Sequence, residues 1–287
     1  NDTTWLVYDI KIGGSFDSSN PGASIYSSNP TKAHRGLQIL VNNTLYFSAQ
    51  DGNTGYELFA HAISNDTTWL VDDIYSGAGT SDPGRLMGVL VGDTIYFDAR
   101  YSSTVGIELV AHNTSNGTTW LASDINPDLN VVGFGEDGGP GQYLGAFTVG
   151  NTIYFGADDG NSGIELMAHN TSNGTTWLVL DLNPGSGNSY LGFYKEILVE
   201  NTIYFDAYGR QGSIYGREMW AYNTLTGSHW LVADIFAGSQ SGVGSFLGNN
   251  FVILVGETIY FDADDGIHGN ELWSHDTSEI IHEIFYD

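Results

Sequence analysis

The residues best suited to chemistry in this chain are carboxylates gathered on glycine turns. In the stretch DADDGIHGNE, Asp262, Asp264, Asp265 and Glu271 surround Gly266. Two other stretches repeat the theme, with Asp158, Asp159 and Glu165 in one and Asp51 and Glu57 in the other. Several oxygen ligands on a turn bent by glycine are what calcium requires, so calcium is the candidate cofactor here. The spacing is not that of an EF-hand, because the glycine comes fifth and the glutamate tenth. The competing reading is an Asp-Gly hairpin turn with solvated carboxylates. Two further copies keep only Asp98 or Asp206 with their glutamate.

Histidines recur as well, at His61, His112, His169 and His275, with Tyr222 in the remaining copy. Equivalent positions on neighbouring sheets would lie on the order of 15 Å apart, from strand spacings of about 4.8 Å. One metal with ligand bonds of about 2 Å cannot bridge them, so packing or hydrogen bonding is expected of these residues. Catalysis is not expected. There is no Gly-x-Ser-x-Gly motif, phosphate loop or zinc signature, and only Glu196 interrupts the apolar strands where paired glycosidase carboxylates would have to stand.

These residues are positioned by a repeat. The doublet Tyr-Phe begins at Tyr46, Tyr96, Tyr154, Tyr204 and Tyr260, at spacings of 50, 58, 50 and 56. A glutamate follows each, at Glu57, Glu108, Glu165, Glu218 and Glu271. A tryptophan stands twelve residues after each of the first four, at Trp69, Trp120, Trp177 and Trp230, and an aspartate four beyond that. Each unit reads as four short strands rich in Ile, Val, Tyr, Phe and Thr, separated by Asn- and Gly-rich turns. Four antiparallel strands at this period predict an all-β chain, a five-bladed β-propeller of four-stranded antiparallel blades. The blades are placed at about 37–74, 86–125, 143–182, 195–235 and 250–287. Residues 1–36 form a surplus N-terminal strand and linker, and 37–287 the propeller. Adjacent Tyr and Phe point to opposite faces, so one blade offers an aromatic to each neighbour.

The segment Glu271–Thr277, ELWSHDT, follows ADDGIHGN. It resembles the ELWxxDGT (hyalin-like) repeats of large extracellular proteins of bacteria and archaea, and all five units match in outline. The departures are Phe59, Val110 and Met167 in place of Trp, and Asn113, Asn170 and Asn223 in place of Asp. The resemblance implies a secreted or surface-attached β-propeller and implies no reaction.

Charge and composition narrow the partners. The 287 residues carry 8 Lys and Arg against 34 Asp and Glu, a net charge of −26. Nucleic acid and anionic membranes are repelled by such a surface. No apolar run approaches membrane-spanning length, and no signal-like leader is seen at the start. Cysteine is absent. Sequons stand at Asn1, Asn42, Asn65, Asn113, Asn116, Asn170 and Asn173. Glycosylation is expected first at Asn113, Asn116, Asn170 and Asn173, then at Asn65 and Asn42, on exposed turns of an extracellular protein.

The fourth-strand motif occurs six times where the other strands occur five. Asn1–Ile10, NDTTWLVYDI, is nearly Asn65–Ile74, NDTTWLVDDI. Residues 280–287 read as a degraded fourth strand of the fifth unit, since Asp287 falls sixteen after Glu271 as Asp73 does after Glu57. The N-terminal copy can complete the last blade of its own chain. It can instead pair with a neighbouring copy by strand addition, and this second option is the expected one. Its residues are Thr3, Thr4, Trp5, Leu6, Val7, Tyr8, Asp9 and Ile10. The expected function is a non-enzymatic subunit of an extracellular surface layer or filament whose partners are copies of itself. The alternative is a carbohydrate-binding propeller, similar in architecture to the five-bladed tachylectins, with glycans as partners.

Overall fold

The computed structural model describes residues 4–11, 19–22, 36–127, 137–209, 216–237 and 244–278. The end of the fifth unit, residues 279–287, lies outside them, as does Thr3. Among the described residues there is no helix, and nineteen strands form five antiparallel sheets. The first sheet holds β1 (Gln38–Val41), β2 (Thr44–Ala49), β3 (Glu57–Ala62) and β4 (Thr67–Asp72). The second holds β5 (Gly88–Val91), β6 (Thr94–Ser102), β7 (Gly106–Asn113) and β8 (Thr118–Ser123). The third holds β9 (Phe147–Val149), β10 (Thr152–Asp158), β11 (Ile164–Asn170) and β12 (Thr175–Leu180). The fourth holds β13 (Glu196–Val199), β14 (Thr202–Tyr208), β15 (Arg217–Asn223) and β16 (His229–Ala233). The fifth has three described strands, β17 (Val252–Val255), β18 (Thr258–Asp264) and β19 (Asn270–Asp276). Strand order within each sheet follows the chain.

This is the β-propeller architecture, in five blades. Blades one to three lie in one compact unit, residues 1–180, and blades four and five in another, residues 181–287. The pairing is nearly identical from blade to blade because the same turns set it. The first residue of every β1–β2-type turn has positive φ: Asn42 at 52°, Gly92 and Gly150 at 59°, Glu200 at 53° and Gly256 at 63°. That conformation suits the twist of a two-residue hairpin and fixes its register. Thr44 then faces Val41 and Tyr46 faces Ile39, a pattern repeated by Thr258 with Val255 and by Tyr260 with Ile253. The third and fourth strands pair through a bulge just after the first residue pair.

Burial follows the doublets. Phe97, Phe155 and Phe205 are fully buried, and Tyr46, Tyr96, Tyr154 and Tyr204 nearly so. Blades one and two share an apolar cluster built from Leu37, Val41, Tyr46 and Leu58 on one side and Ile95, Phe97 and Val110 on the other. Blades two and three repeat it with Tyr96 and Leu109 against Ile153, Phe155 and Met167. Blades four and five repeat it with Tyr204 and Met219 against Ile259 and Phe261. The doublet Tyr96-Phe97 therefore serves both faces of its blade, as the alternation of strand side chains requires.

The segment Thr4–Ile10 departs from the expected surplus strand. Its sequence is that of a fourth strand, but the residues join no sheet. The side chains of Trp5, Leu6, Val7 and Tyr8 are exposed, whereas Ile10 packs on Phe47 and Phe59 of blade one.

Candidate functional site

Of the glutamates expected to bind calcium, Glu57 is a fastener within the protein, and Glu108 and Glu218 of blades two and four act alike. Glu57, Glu108, Glu165 and Glu218 are completely buried at the start of their third strands. Glu57 accepts the backbone N–H of Ile74 at 2.9 Å and that of Ser81 at 3.0 Å, and also the Ser81 hydroxyl at 2.6 Å. Glu108 accepts N–H groups from Ile125 and Gly138, both at 2.7 Å. Glu218 accepts that of Ile235 at 2.9 Å. The buried carboxyl in each case ties the end of its blade's fourth strand, and in the first two also the segment leading on. Burial pushes Glu57 and Glu218 up to about 7 and Glu108 up to about 8.

The aspartates go elsewhere. Asp51 caps an exposed turn, accepting N–H groups from Asn53 and Thr54, both at 2.8 Å. Asp159 does the same for Asn161 and Ser162, and Asp158 accepts from Gly160. Asp264 accepts from Gly266, while Asp265 takes the N–H of His268 and bonds its imidazole, both at 2.7 Å. Asp262 is held by Phe251, Asn250 and Asn270, and these hydrogen bonds keep its carboxyl below the usual range despite partial burial. Glu271 is exposed. Thus the structure separates Asp51 from buried Glu57, and Asp158 and Asp159 from buried Glu165. Among the described residues no three His, Cys, Asp or Glu side chains converge on a common point. The signal for the fasteners was present in the sequence: each buried glutamate stands 17 residues before an Ile or Leu, at Ile74, Ile125, Leu182 and Ile235.

The histidines form joints between blades. The His112 ring packs against Tyr46 of the preceding blade at 5.4 Å between centroids. His169 does so against Tyr96 and His275 against Tyr204, both at 5.5 Å. His61, His112 and His169 each bond through Nδ1 to a threonine of their own fourth strand, Thr68, Thr119 and Thr176, at 2.9–3.0 Å. Burial holds His112, His169 and His275 below the usual histidine range. Blade four adds a feature that sequence reading missed, a buried cation. Arg217 lies 3.1 Å from Asp206 and stacks over Phe193 and Tyr194 at 4.6 and 5.1 Å.

The sequons sort by exposure. Asn42, Asn65, Asn116 and Asn173 are exposed. Asn113 and Asn170 are half-buried, and their side-chain oxygens accept N–H groups of their own turns. Trp69, Trp120 and Trp177 are exposed on the fourth strands of blades one to three, whereas Trp230 of blade four is partly buried.

Blade one carries an open pocket. Its third-strand face, where His61 stands, is only partly covered by Val7, Tyr8 and Ile10. Between them lies a cavity of about 350 Å³ lined also by Leu45, Phe47 and Thr68. The corresponding residues of blades two and three are sealed under the tyrosine of the preceding blade.

No protein-family model and no curated protein sequence matches the chain. Solved structures do. A puromycin hydrolase S511A mutant complexed with PGG matches with a TM-score of 0.50 and 11% identity, over 84% of this chain and 36% of that one. TolB from Acinetobacter baumannii matches with a TM-score of 0.39 and 12% identity, over 80% of this chain and 53% of that one. BamB from Moraxella catarrhalis matches with a TM-score of 0.43 and 16% identity, over 81% and 61%. The chain thus spans less than two thirds of each of these relatives. At such identities the likeness shows the fold alone. What it shows is a β-propeller.

Proposed function

We propose that this chain is a non-enzymatic, extracellular structural protein, a subunit of a surface layer or filament that binds copies of itself through the segment Thr3–Ile10. The observation that carries the reading is a mismatch between sequence and pairing. Thr4–Ile10 has the sequence of a fourth strand yet joins no sheet, and β19 is paired only with β18 among the described residues. A strand sequence without a sheet is what strand addition to another chain's sheet edge requires. The other elements of the reading rest on composition and surface. A net charge of −26 suits a saline exterior, and exposed sequons at Asn42, Asn65, Asn116 and Asn173 offer glycan positions. Against enzymatic function stand the commitments of the repeated carboxylates to backbone N–H groups. The test is deletion of residues 1–10. Light scattering and electron microscopy should show assemblies for the full chain and monomers for the truncated one, with unchanged far-ultraviolet circular dichroism. Equal assembly of the two proteins overturns the reading.

One observation favours a second reading, that of a carbohydrate-binding propeller. The exposed Trp69, Trp120 and Trp177 recur once in each of blades one to three, as a stacking platform for sugar rings would. Multiplicity would then supply avidity. A glycan array probed with the wild type and with Trp120→Ala decides it: binding that weakens in the variant supports a lectin, and a silent array removes the reading.

A further inference from the structure

The outer turns of the blades hold two kinds of sequon, and the fold treats them differently. In the turn between β7 and β8, the side-chain oxygen of Asn113 accepts the N–H groups of Ser115 and Asn116, at 3.0 and 3.1 Å, and its Nδ2 donates to Thr94 at 3.2 Å. The Ser115 hydroxyl, the other half of that sequon, donates to Asp93 at 2.8 Å. Both groups are committed to holding the hairpins together. The second sequon of the same turn is folded on itself. Asn116 is exposed, and its oxygen accepts the Thr118 hydroxyl at 2.7 Å and the Thr118 N–H at 3.0 Å, while its Nδ2 has no partner among the described residues. Asn173 repeats this arrangement with Thr175, at 2.7 and 3.0 Å, and Asn65 accepts the Thr67 hydroxyl at 2.6 Å.

A tryptophan follows each of these threonines by two residues. It therefore stands on the same face of its strand as the threonine, about 6.6–6.8 Å farther along. Trp69 on β4 and Trp120 on β8 both belong to the unit of residues 1–180, and they are 41% and 37% exposed. Sequon and exposed tryptophan go together. Blade four reads Thr226-Gly-Ser-His-Trp230, which contains no sequon, and there Trp230 packs into the cluster of Tyr204 and Phe261. The fifth unit also lacks a sequon at this place, and its sequence has Glu283 where the tryptophan would stand.

We propose that Asn65, Asn116 and Asn173 are the acceptors of N-linked glycans, that Asn113 and Asn170 stay unmodified in the folded protein, and that Trp69 and Trp120 are the platforms on which the first sugars of the adjoining glycans lie. In the transfer, the asparagine Nδ2 forms a bond to the anomeric carbon of a lipid-diphosphate-linked oligosaccharide. The bond from that carbon to the phosphate oxygen breaks, the diphosphate leaves with the electron pair, and the amide gives up one proton. A transferase of the cell catalyses the step, and the turn supplies the acceptor. A glycan on Asn113 would instead have to release the bond from its Nδ2 to Thr94. The occupant of the platform is argued from the shared strand face. The glycan leaves Asn116 beside Thr118, and the indole of Trp120 lies along the same face, where the C–H side of a sugar ring covers it. The inference rests on the extracellular placement proposed above and not on self-assembly, and it differs from the second reading in making the sugar the chain's own.

The test uses the full chain secreted from a eukaryotic host, which supplies the lipid-linked donor, with circular dichroism to confirm the fold. Enzymatic release converts each modified asparagine to aspartate, so mass spectrometry reads the positions. Glycans on Asn65, Asn116 and Asn173, with Asn113 and Asn170 unmodified, are the expected result. A glycan on Asn113 or Asn170, or any of the three acceptors left bare, overturns the assignment. Oxidative footprinting then reads the tryptophans one by one. Stacking as strong as that of an aromatic pair keeps a ring covered most of the time, so Trp120 should oxidise slower by about threefold or more in the glycosylated wild type than in Asn116→Gln, with Trp69 unchanged by that substitution. Asn65→Gln should expose Trp69 and leave Trp120 covered. Releasing the glycans from the folded wild type should expose both rings without any substitution. Rates that do not change on release overturn the platform. In the native source, a protein found outside the cell with these sites bare overturns the inference alone, and one found inside the cell overturns the extracellular placement as well.

Discussion

Alanine at Met219 and, separately, at Leu272 tests whether burial, rather than place in the repeat, sets what a third-strand side chain contributes. The two residues hold the same position, each directly after its blade's glutamate, and both belong to the unit of residues 181–287. Met219 is buried against the cluster of Ile259 and Phe261. Truncating such a side chain costs about 2–5 kcal/mol, the lost transfer energy plus the cavity. Leu272 keeps two thirds of its surface in water. With full burial of a leucine worth roughly 1.5–3 kcal/mol, its truncation should cost only about 0.5–1 kcal/mol, and it leaves no cavity. In a unit of this size 1 kcal/mol shifts the midpoint by roughly 4–8 °C. Met219→Ala should therefore lower the melting temperature by about 10 °C or more, and Leu272→Ala by less than about 8 °C. The measurement is thermal and urea unfolding at low micromolar concentration, where light scattering confirms a monomer. If Leu272→Ala costs as much as Met219→Ala under those conditions, Leu272 is buried in solution. The argument from exposure then fails.

Acidity should stabilise the fold between about pH 4.5 and 7. Glu57, Glu108, Glu218 and Asp98 are raised by burial to about 7 or 8, so the folded protein binds protons there that the unfolded chain does not. Stability from these groups falls as pH rises through that window, whereas His112, His169 and His275, lowered by burial, weaken the fold below about pH 6.5. Urea midpoints across pH 4.5–8 should show the rise on acidification, with a shallower slope in Glu108→Gln; a slope unchanged by that substitution refutes the assignment. A double-mutant cycle on Tyr46→Ala and His112→Ala should give a coupling of about 0.5–1.5 kcal/mol, and additive effects would show that the ring contact carries no specific energy. Chelation with EDTA should leave the melting temperature within about 1 °C, since the candidate carboxylates already hold N–H donors; a larger fall would restore calcium to the acidic turns.

The blades were legible because their signals are local. Tyr-Phe doublets, paired turns and the Trp-to-Asp interval each fix strands within a few residues, and every sheet holds the strands they predict apart from the undescribed part of blade five. The role of the glutamates was not legible in the same way. Spacing on a glycine-rich connection looks alike whether a carboxylate faces solvent or the interior. Glu57 turns inward because it pairs with Ala49 at the end of β2, beside the N–H groups of Ile74 and Ser81, and that proximity is tertiary. The histidines are packing and hydrogen-bonding residues, although only the structure reveals that His112, His169 and His275 meet the tyrosine of the blade before. The N-terminal segment shows a further limit. Counting strands exposes a surplus, but sequence similarity to a fourth strand does not supply the neighbour that a strand needs.

The pairing of tyrosine on one face with histidine on the other gives blades one, two, three and five a direction, while blade four carries Tyr222 at the histidine position. Tyr46 meets His112, Tyr96 meets His169 and Tyr204 meets His275. Any stack built on such contacts is polar, with two ends that differ in chemistry. A fragment carrying the histidine face alone would block one end and leave the other free to grow. A fragment carrying the tyrosine face alone would do the reverse, so the length of a stack could be set by the ratio of two stoppers.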